Sequence, residues 1–368
     1  MGEAIDLTGG ESKPVSLTIQ TSSSGRPPVP FVGEQTLETE STTYTLTGSV
    51  QGGLAGWLSP RAVPSSDGTA FAYNAWEELV TLDPEMSFSQ QGVADGDPLG
   101  RPSIRIFNIE TGDDSLLADG AFSIAWDTRG RLAYFAGDER DFRADQPYSG
   151  RIVVRDSLSE QPTAWTSVGG SYVVYGWAND LLLAYQRHPG QHLDVVVLGG
   201  PGDTRTLAKG ANIVALSPDG TRVLLSEEAG PGLRLLDLAS GRELSSLDMA
   251  SALGPSSGIE WVGYGGSWLG DSVAARTNVG IAILRVTERE IRARRLIRLP
   301  PQVFPVGVHE PRLLDESGDR VVAWGPLHQG RRPTYSFVTC DLAQGTCKQG
   351  PKRNSRTFSE AYNPSRPR

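Results

Sequence analysis

The chain has 368 residues, 38% of them apolar, with 43 glycines and 25 prolines. It therefore has enough apolar side chains for a sizeable core, but it is punctuated for many turns rather than for long helices. Its 34 basic and 43 acidic side chains give a net charge of −9, which repels phosphate backbones and sets nucleic acid aside as a partner. No run of about 18 apolar residues occurs, so no membrane-spanning helix is expected. Met1-Gly2-Glu3-Ala4-Ile5-Asp6 has neither the basic start nor the apolar stretch of a secretory signal.

Residues 1–55 differ from the rest. Thr21-Ser22-Ser23-Ser24-Gly25-Arg26-Pro27-Pro28 has the composition of a flexible linker between two possible strands, 15–20 and 42–50. We read 1–55 as an N-terminal linker or tether, through which a membrane anchor preceding this sequence would act. Its 42–50 strand is a candidate for closing a ring.

From about residue 56 to 351 a unit recurs: strand, tight turn, strand, variable loop, strand, tight turn, strand. The first turn appears as Ser65-Ser66-Asp67-Gly68, Asp127-Thr128-Arg129-Gly130, Ala178-Asn179-Asp180, Ser217-Pro218-Asp219-Gly220, a poor copy over 266–271, and Glu316-Ser317-Gly318-Asp319. In the fourth copy proline presets φ, aspartate bonds the backbone beyond it, and glycine takes the left-handed position that closes the turn. A second turn keeps step: Phe107-Asn108-Ile109-Glu110-Thr111-Gly112, Leu236-Asp237-Leu238-Ala239-Ser240-Gly241 and Cys340-Asp341-Leu342-Ala343-Gln344-Gly345 align without a gap, with looser versions at 155–160 and 285–289. The strand at 291–299 carries Arg292, Arg294, Arg295 and Arg298, just after Arg289, and reads as an outermost strand whose charges guard an open edge.

Cys340 and Cys347, the only cysteines, bracket the last turn. Facing positions on a two-stranded ribbon are close enough for a disulfide, and a bond implies an exported protein; two free thiols in a cytosolic protein are the alternative. The strand 346–350 stops at Pro351, and the 352–368 tail, basic and proline-containing, reads as disordered.

A four-stranded unit with a period of roughly 40–60 residues cannot bury both faces by itself, so neighbouring units must stack. Radial stacking gives an all-β fold, a β-propeller of six four-stranded blades at roughly 48 residues a blade. Seven blades, the alternative, would require residues 1–55 to supply one, and they show neither turn. The Trp residues, including Trp126, Trp165, Trp177 and Trp324, fall mostly in strands and suit packing between blades.

Ser-Pro-Asp-Gly-Thr-Arg-Val-Leu-Leu at 217–225 resembles the WD40-like repeat of TolB-type propellers, and the likeness extends over about four fifths of the chain. The Cys-Asp-x-x-x-Gly-x-Cys hairpin is similar to that of exported actinobacterial propeller proteins. The resemblance implies a periplasmic or cell-surface setting and a partner-binding role. The departures at Ala178-Asn179-Asp180 and at 266–271 touch blade boundaries rather than the fold.

In such a fold the two turn series share one face, and the variable loops share the other with the links between blades. Residues 77–101 carry Glu77, Glu78, Asp83, Glu85, Asp95 and Asp97; residues 137–150 carry Asp138, Glu139 and Asp141 with Phe142 and Tyr148. Long loops on a rigid scaffold are where binding resides, so these residues form a candidate surface for a basic or polar protein or cell-envelope ligand, against the alternative of merely solvated loops. His188 and His192, near Asp194, and His309, in the link entering the sixth blade, are weak metal candidates, with surface imidazoles as the alternative. No cofactor is expected, although Asp95-Gly96-Asp97 offers oxygen ligands suited to weak calcium binding. Gly265-Gly266-Ser267-Trp268-Leu269 lacks the final glycine of a nucleophile elbow, and there is no metalloprotease, phosphate-loop or dinucleotide motif. The expected function is a monomeric, non-enzymatic binding module at the cell surface or envelope. A hydrolase or lyase with a metal-assisted site at the channel mouth, and a sensor or structural ectodomain, are the alternatives.

Overall fold

The structure, a computed structural model, describes residues 2–6, 13–21, 28, 31–32, 36–38, 42–46, 62–77, 98–138, 142–143, 149–188, 193–228, 230–254, 257–299, 309–327, 335–352 and 357–358. The chain opens with β1 (Gly2–Asp6) and β2 (Lys13–Thr21), then β3 (Phe31–Val32), β4 (Thr36–Glu38) and β5 (Thr43–Thr45). The first blade is β6 (Ala62–Pro64), β7 (Ala70–Glu77), β8 (Pro98–Asn108) and β9 (Asp114–Asp119). The second is β10 (Ala121–Trp126), β11 (Leu132–Gly137), β13 (Gly150–Arg155) and β14 (Thr163–Ala164), with β12 (Phe142–Arg143) in its loop. The third is β15 (Tyr172–Ala178), β16 (Leu181–Arg187), β17 (Leu193–Gly200) and β18 (Asp203–Lys209). The fourth is β19 (Ala211–Leu216), β20 (Arg222–Glu227), β21 (Gly232–Asp237) and β22 (Glu243–Asp248), followed by α1 (Met249–Leu253). The fifth is β23 (Ser267–Leu269), β24 (Ser272–Thr277), β25 (Gly280–Val286) and β26 (Ile291–Arg298). The sixth is β27 (His309–Leu313), β28 (Arg320–Pro326), β29 (Tyr335–Asp341) and β30 (Thr346–Gln349), and β31 (Thr357–Phe358) follows. The fold is a six-bladed β-propeller.

The inner strands β10, β19 and β23 are buried on both sides, whereas outer strands such as β22 are half-exposed. This is why inner strands read as unbroken apolar runs rather than alternating ones.

Two compact units divide the chain. One, Val29–Lys209 with Thr357–Tyr362, holds the first three blades and the sheet β31-β3-β4-β5. Leu37 and Leu46 of that sheet pack with Phe71, Tyr73 and Phe107 of the first blade, and Tyr44 meets Phe107 edge-on at 5.6 Å. Thr357 and Phe358, from the tail read as disordered, thus pair with Val32 and Phe31. A polar chain ties the three blades: the Ser123 amide donates to Asn74 Oδ1 and its hydroxyl to the Val174 carbonyl, both at 3.0 Å. Ser123 sits at a bulge in β10 with φ of 62°, where the inserted residue turns its polar groups to both neighbours. Trp177 closes the second blade on the third. Its indole donates to the Ala125 carbonyl at 3.2 Å, it meets Trp165 edge-on, and the Arg131 guanidinium lies 4.3 Å from the centroid of its ring.

The other unit, Met1–Pro28, Gly210–Arg356 and Asn363–Arg368, holds the fourth to sixth blades. Here the poor turn copy over 266–271 is corrected: only Gly270-Asp271 turns, and Ser267–Leu269 is the inner strand. Gly266 marks a close approach, not a turn. Its amide donates to the Val214 carbonyl at 2.8 Å, and a Cβ there would run into the Ala274 carbonyl oxygen. Arg222 repeats the cation–aromatic clasp, 5.3 Å from the Trp268 ring centroid. Cys340 and Cys347 face each other across β29 and β30, fully buried and disulfide-bonded, with Cα atoms 4.0 Å apart.

The possible strand over 15–20 is present as β2, and with β1, which was read as part of the linker, it forms an antiparallel pair that completes this unit. β1 pairs with β26, and β2 runs parallel to β30, so the fifth and sixth blades and the hairpin form one ten-stranded sheet. The strand beside β30 is therefore β2 and not one over 42–50. β2 supplies the fully buried Leu17 and the half-buried Ile19, whereas Thr43 and Thr45 of β5 are exposed. The arginines of β26 do not guard an open edge either. Arg295 pairs with Asp319, Arg294 Nη1 donates to the Ser317 carbonyl at 2.7 Å, and Arg298 Nη2 to the Ser257 carbonyl at 2.6 Å.

Candidate partner-binding face

The connections of the blades fall on two faces. On the first, the two turn series are bonded to each other. The amides of Ile109, Leu238 and Leu342 donate to the carbonyls of Thr69, Thr221 and Asp319 at 2.9, 2.9 and 2.8 Å. That bond is why two turns so far apart in sequence keep step. In the fourth blade the Ser217 hydroxyl and the Thr221 amide and hydroxyl all donate to Asp219 Oδ1, at 2.5, 3.0 and 2.8 Å, and Ser65, Asp67 and Thr69 repeat this in the first. The Ser65 hydroxyl, then the Thr69 amide, holds the Asp67 carboxyl below its ordinary range. Burial pushes Asp219 up, but its three donors outweigh that and lower it.

A carboxyl whose pKa is lower folded than unfolded adds stability above about pH 4 and loses it as pH falls through the folded value. Asp219→Ala is thus expected to cost about 1 kcal/mol at pH 7, its half-exposed position reducing the usual worth of charged hydrogen bonds. The gap to the native chain closes in acid. Denaturant midpoints at pH 7 and pH 3 check this, and a gap that persists in acid would refute it. The neighbouring charges are likewise engaged internally, Arg131 with Asp127 at 2.6 Å and Arg129 with Asp180 at 2.6 Å. This face is scaffold.

At the opposite ends of the first two blades, β7 and β8 run on past β6 so that Glu77 stands opposite Arg101. From the second blade, β12 reaches back and pairs with β8, Phe142 opposite Gly100 and Arg143 opposite Pro98. The described ends of the two candidate stretches, 98–100 and 142–143, therefore lie side by side. Phe142 lies on a strand rather than in an open loop. Asp138 is exposed, and its Oδ2 accepts from the Ser149 hydroxyl at 3.2 Å. Glu78, Asp83, Glu85, Asp95, Asp97, Glu139, Asp141 and Tyr148 lie outside the described residues.

The histidines are not assembled into one centre by the described residues. His188 Nε2 lies 3.1 Å from Oδ2 of Asp194, a buried carboxylate at the start of β17. His309 belongs to β27 opposite Trp324, so it opens the inner strand of the sixth blade rather than lying in the link before it. His192 lies outside the described residues. Among the described residues no group of three or more His, Cys, Asp or Glu side chains is placed to hold a metal ion. Nor is any helix among them long and apolar enough to cross a membrane.

One element of the other unit was not anticipated. In the fifth blade Asn278, in the β24–β25 turn, accepts from the Glu260 amide at 3.0 Å and donates to the Gly258 carbonyl at 2.9 Å. Val262 bridges to Thr277, and the Gly263 amide donates to the Arg276 carbonyl at 2.9 Å. Together these bonds present the half-buried Trp261 under the Arg276 guanidinium, 5.1 Å from the ring centroid. Trp261 was not singled out from sequence; its flanking glycines, Gly258 and Gly263, were the available signal.

No family model matches the chain, and no curated protein matches it. Solved structures do. A prolyl endopeptidase superposes with a TM-score of 0.51 and 14% identity, over 89% of this chain and 50% of its own. The acylaminoacyl peptidase of Pyrococcus horikoshii does so at 0.50 and 11%, over 91% and 52%. An oligogalacturonate lyase in complex with manganese does so at 0.50 and 10%, over 84% and 83%. The chain spans about half the length of either peptidase. At these identities the likeness is one of fold.

Proposed function

We propose that this propeller is a binding module that takes a basic or polar protein, or an envelope component, on the face carrying 78–97 and 138–149. The observation that supports this reading is the pairing of β12 with β8, which joins strands whose sequence neighbours are rich in carboxylates. An acidic patch of this kind favours basic surfaces and speeds their encounter at low salt. The buried disulfide supports an oxidising compartment as the place of work, at the cell surface or in the periplasm. Lysine at positions 95, 97, 138 and 139 in place of Asp95, Asp97, Asp138 and Glu139 is expected to abolish low-salt capture of envelope proteins by the immobilised chain, with circular dichroism and thermal midpoint unchanged. Retention of the same set of proteins by the reversed variant would sink the assignment.

A hydrolase or lyase reading draws on one observation, the imidazole of His188 held by a buried carboxylate. An activity lost in His188→Ala while the fold persists would favour it.

A further inference from the structure

The N-terminal hairpin is held to its sheet without any tight turn. β1 lies about 290 positions from β26 in sequence, and β2 is parallel to β30, the only parallel pairing among the described strands and one that a hairpin turn cannot make. Its register must therefore come from side chains. Ala4 and Leu17 are buried in the cluster that contains Cys340 and Cys347, and Ile19 packs against it. Along β1 the acidic positions stand opposite arginines, Glu3 against Arg298 and Asp6 against Arg295. Without the hairpin, β26 and β30 would each expose an unpaired ladder edge.

We propose that these two edges form a strand-acceptor site, filled in cis by residues 2–21, that takes residues 2–21 of a second copy in trans, so that two chains exchange hairpins. The acceptor strand carries arginine at 292, 294, 295 and 298, and the donor strand Gly2-Glu3-Ala4-Ile5-Asp6 sets an acidic residue opposite two of them, Arg298 and Arg295, on either side of the apolar Ala4-Ile5 pair. Exchange keeps every ladder bond of the closed chain, so concentration and the reach of the segment after β2 govern it. The monomer expected from sequence is then the dilute form.

Differently tagged full-length copies, one Glu3→Cys and the other Arg298→Cys, are mixed at high concentration and mildly oxidised. Neither added thiol has a partner within its own chain, so the proposal expects a covalent heterodimer. An excess of untagged native chain should diminish it. A copy with Glu243→Cys, on the outer strand β22 that no hairpin covers, should give none. Thr18→Cys with Thr346→Cys tests the β2–β30 edge without removing a charge. Absence of the heterodimer with both pairs, in chains shown by circular dichroism to be folded, overturns the proposal. So does an equal yield with Glu243→Cys.

Discussion

Asp114→Ala is expected to lower stability by about 3–5 kcal/mol, the scale for removing one partner of a buried ion pair. Asp114 opens β9 with its side chain 5% exposed. Its carboxylate accepts from the Tyr73 hydroxyl at 2.7 Å and from Arg105 Nε at 2.9 Å, while Arg105 Nη2 donates to the Asp114 main-chain carbonyl at 3.2 Å. Tyr73 is fully buried, so its phenol gains no water when the carboxylate goes, and the partly buried Arg105 guanidinium loses its counter-charge. Burial works against the Arg105 charge, yet the hydrogen bond and charge of Asp114 prevail and hold its pKa above the ordinary value. Asp114→Asn keeps an acceptor for Tyr73 but no charge for Arg105, and should fall between the alanine variant and the native chain. Urea unfolding of the three proteins measures the order. A loss under about 1 kcal/mol for alanine would show that the network is idle in the folded state.

The second large effect comes from one methyl group. Gly266→Ala sets a Cβ against the Ala274 carbonyl and 3.0 Å from that of Val214, both backbone atoms that cannot swing aside. The inner strands of the fourth and fifth blades must separate to admit it, at a cost of about 3 kcal/mol or more. Gly112→Ala is the comparison. Its φ is 75°, but a Cβ there meets nothing within 4 Å, so only the left-handed backbone opposes it, at about 1–2 kcal/mol. Thermal unfolding that ranks Gly112→Ala as the more damaging would contradict the close approach.

The turns were readable because each rests on local chemistry. Asn179 shows how far this extends: with φ of 55° it takes the left-handed position that glycine holds in the other copies. Gly265-Gly266 misled for the opposite reason, since glycine serves a turn and a close approach alike. The hairpin of β1 and β2 was hidden because edge pairing across some 300 residues leaves no periodic trace, and because arginine suits a guarded edge as well as an acidic neighbour. Of the candidate site, the loop composition was visible, whereas the reach of β12 to β8 was not, since a two-residue strand carries no pattern. Trp261 escaped notice because a tryptophan among apolar residues has the same appearance packed or presented.

The pairing of Ile19 with Cys347 has a consequence for biosynthesis. During translation the segment that will hold Leu17 emerges roughly 330 codons before its seat exists, a wait of about 15–65 s at ordinary elongation rates. Throughout that interval its apolar residues stay uncovered on the nascent polypeptide, so holding chaperones should engage the amino-terminal region, and slow ribosomes should aggravate aggregation more than they would in a protein whose first strand finds its neighbour early.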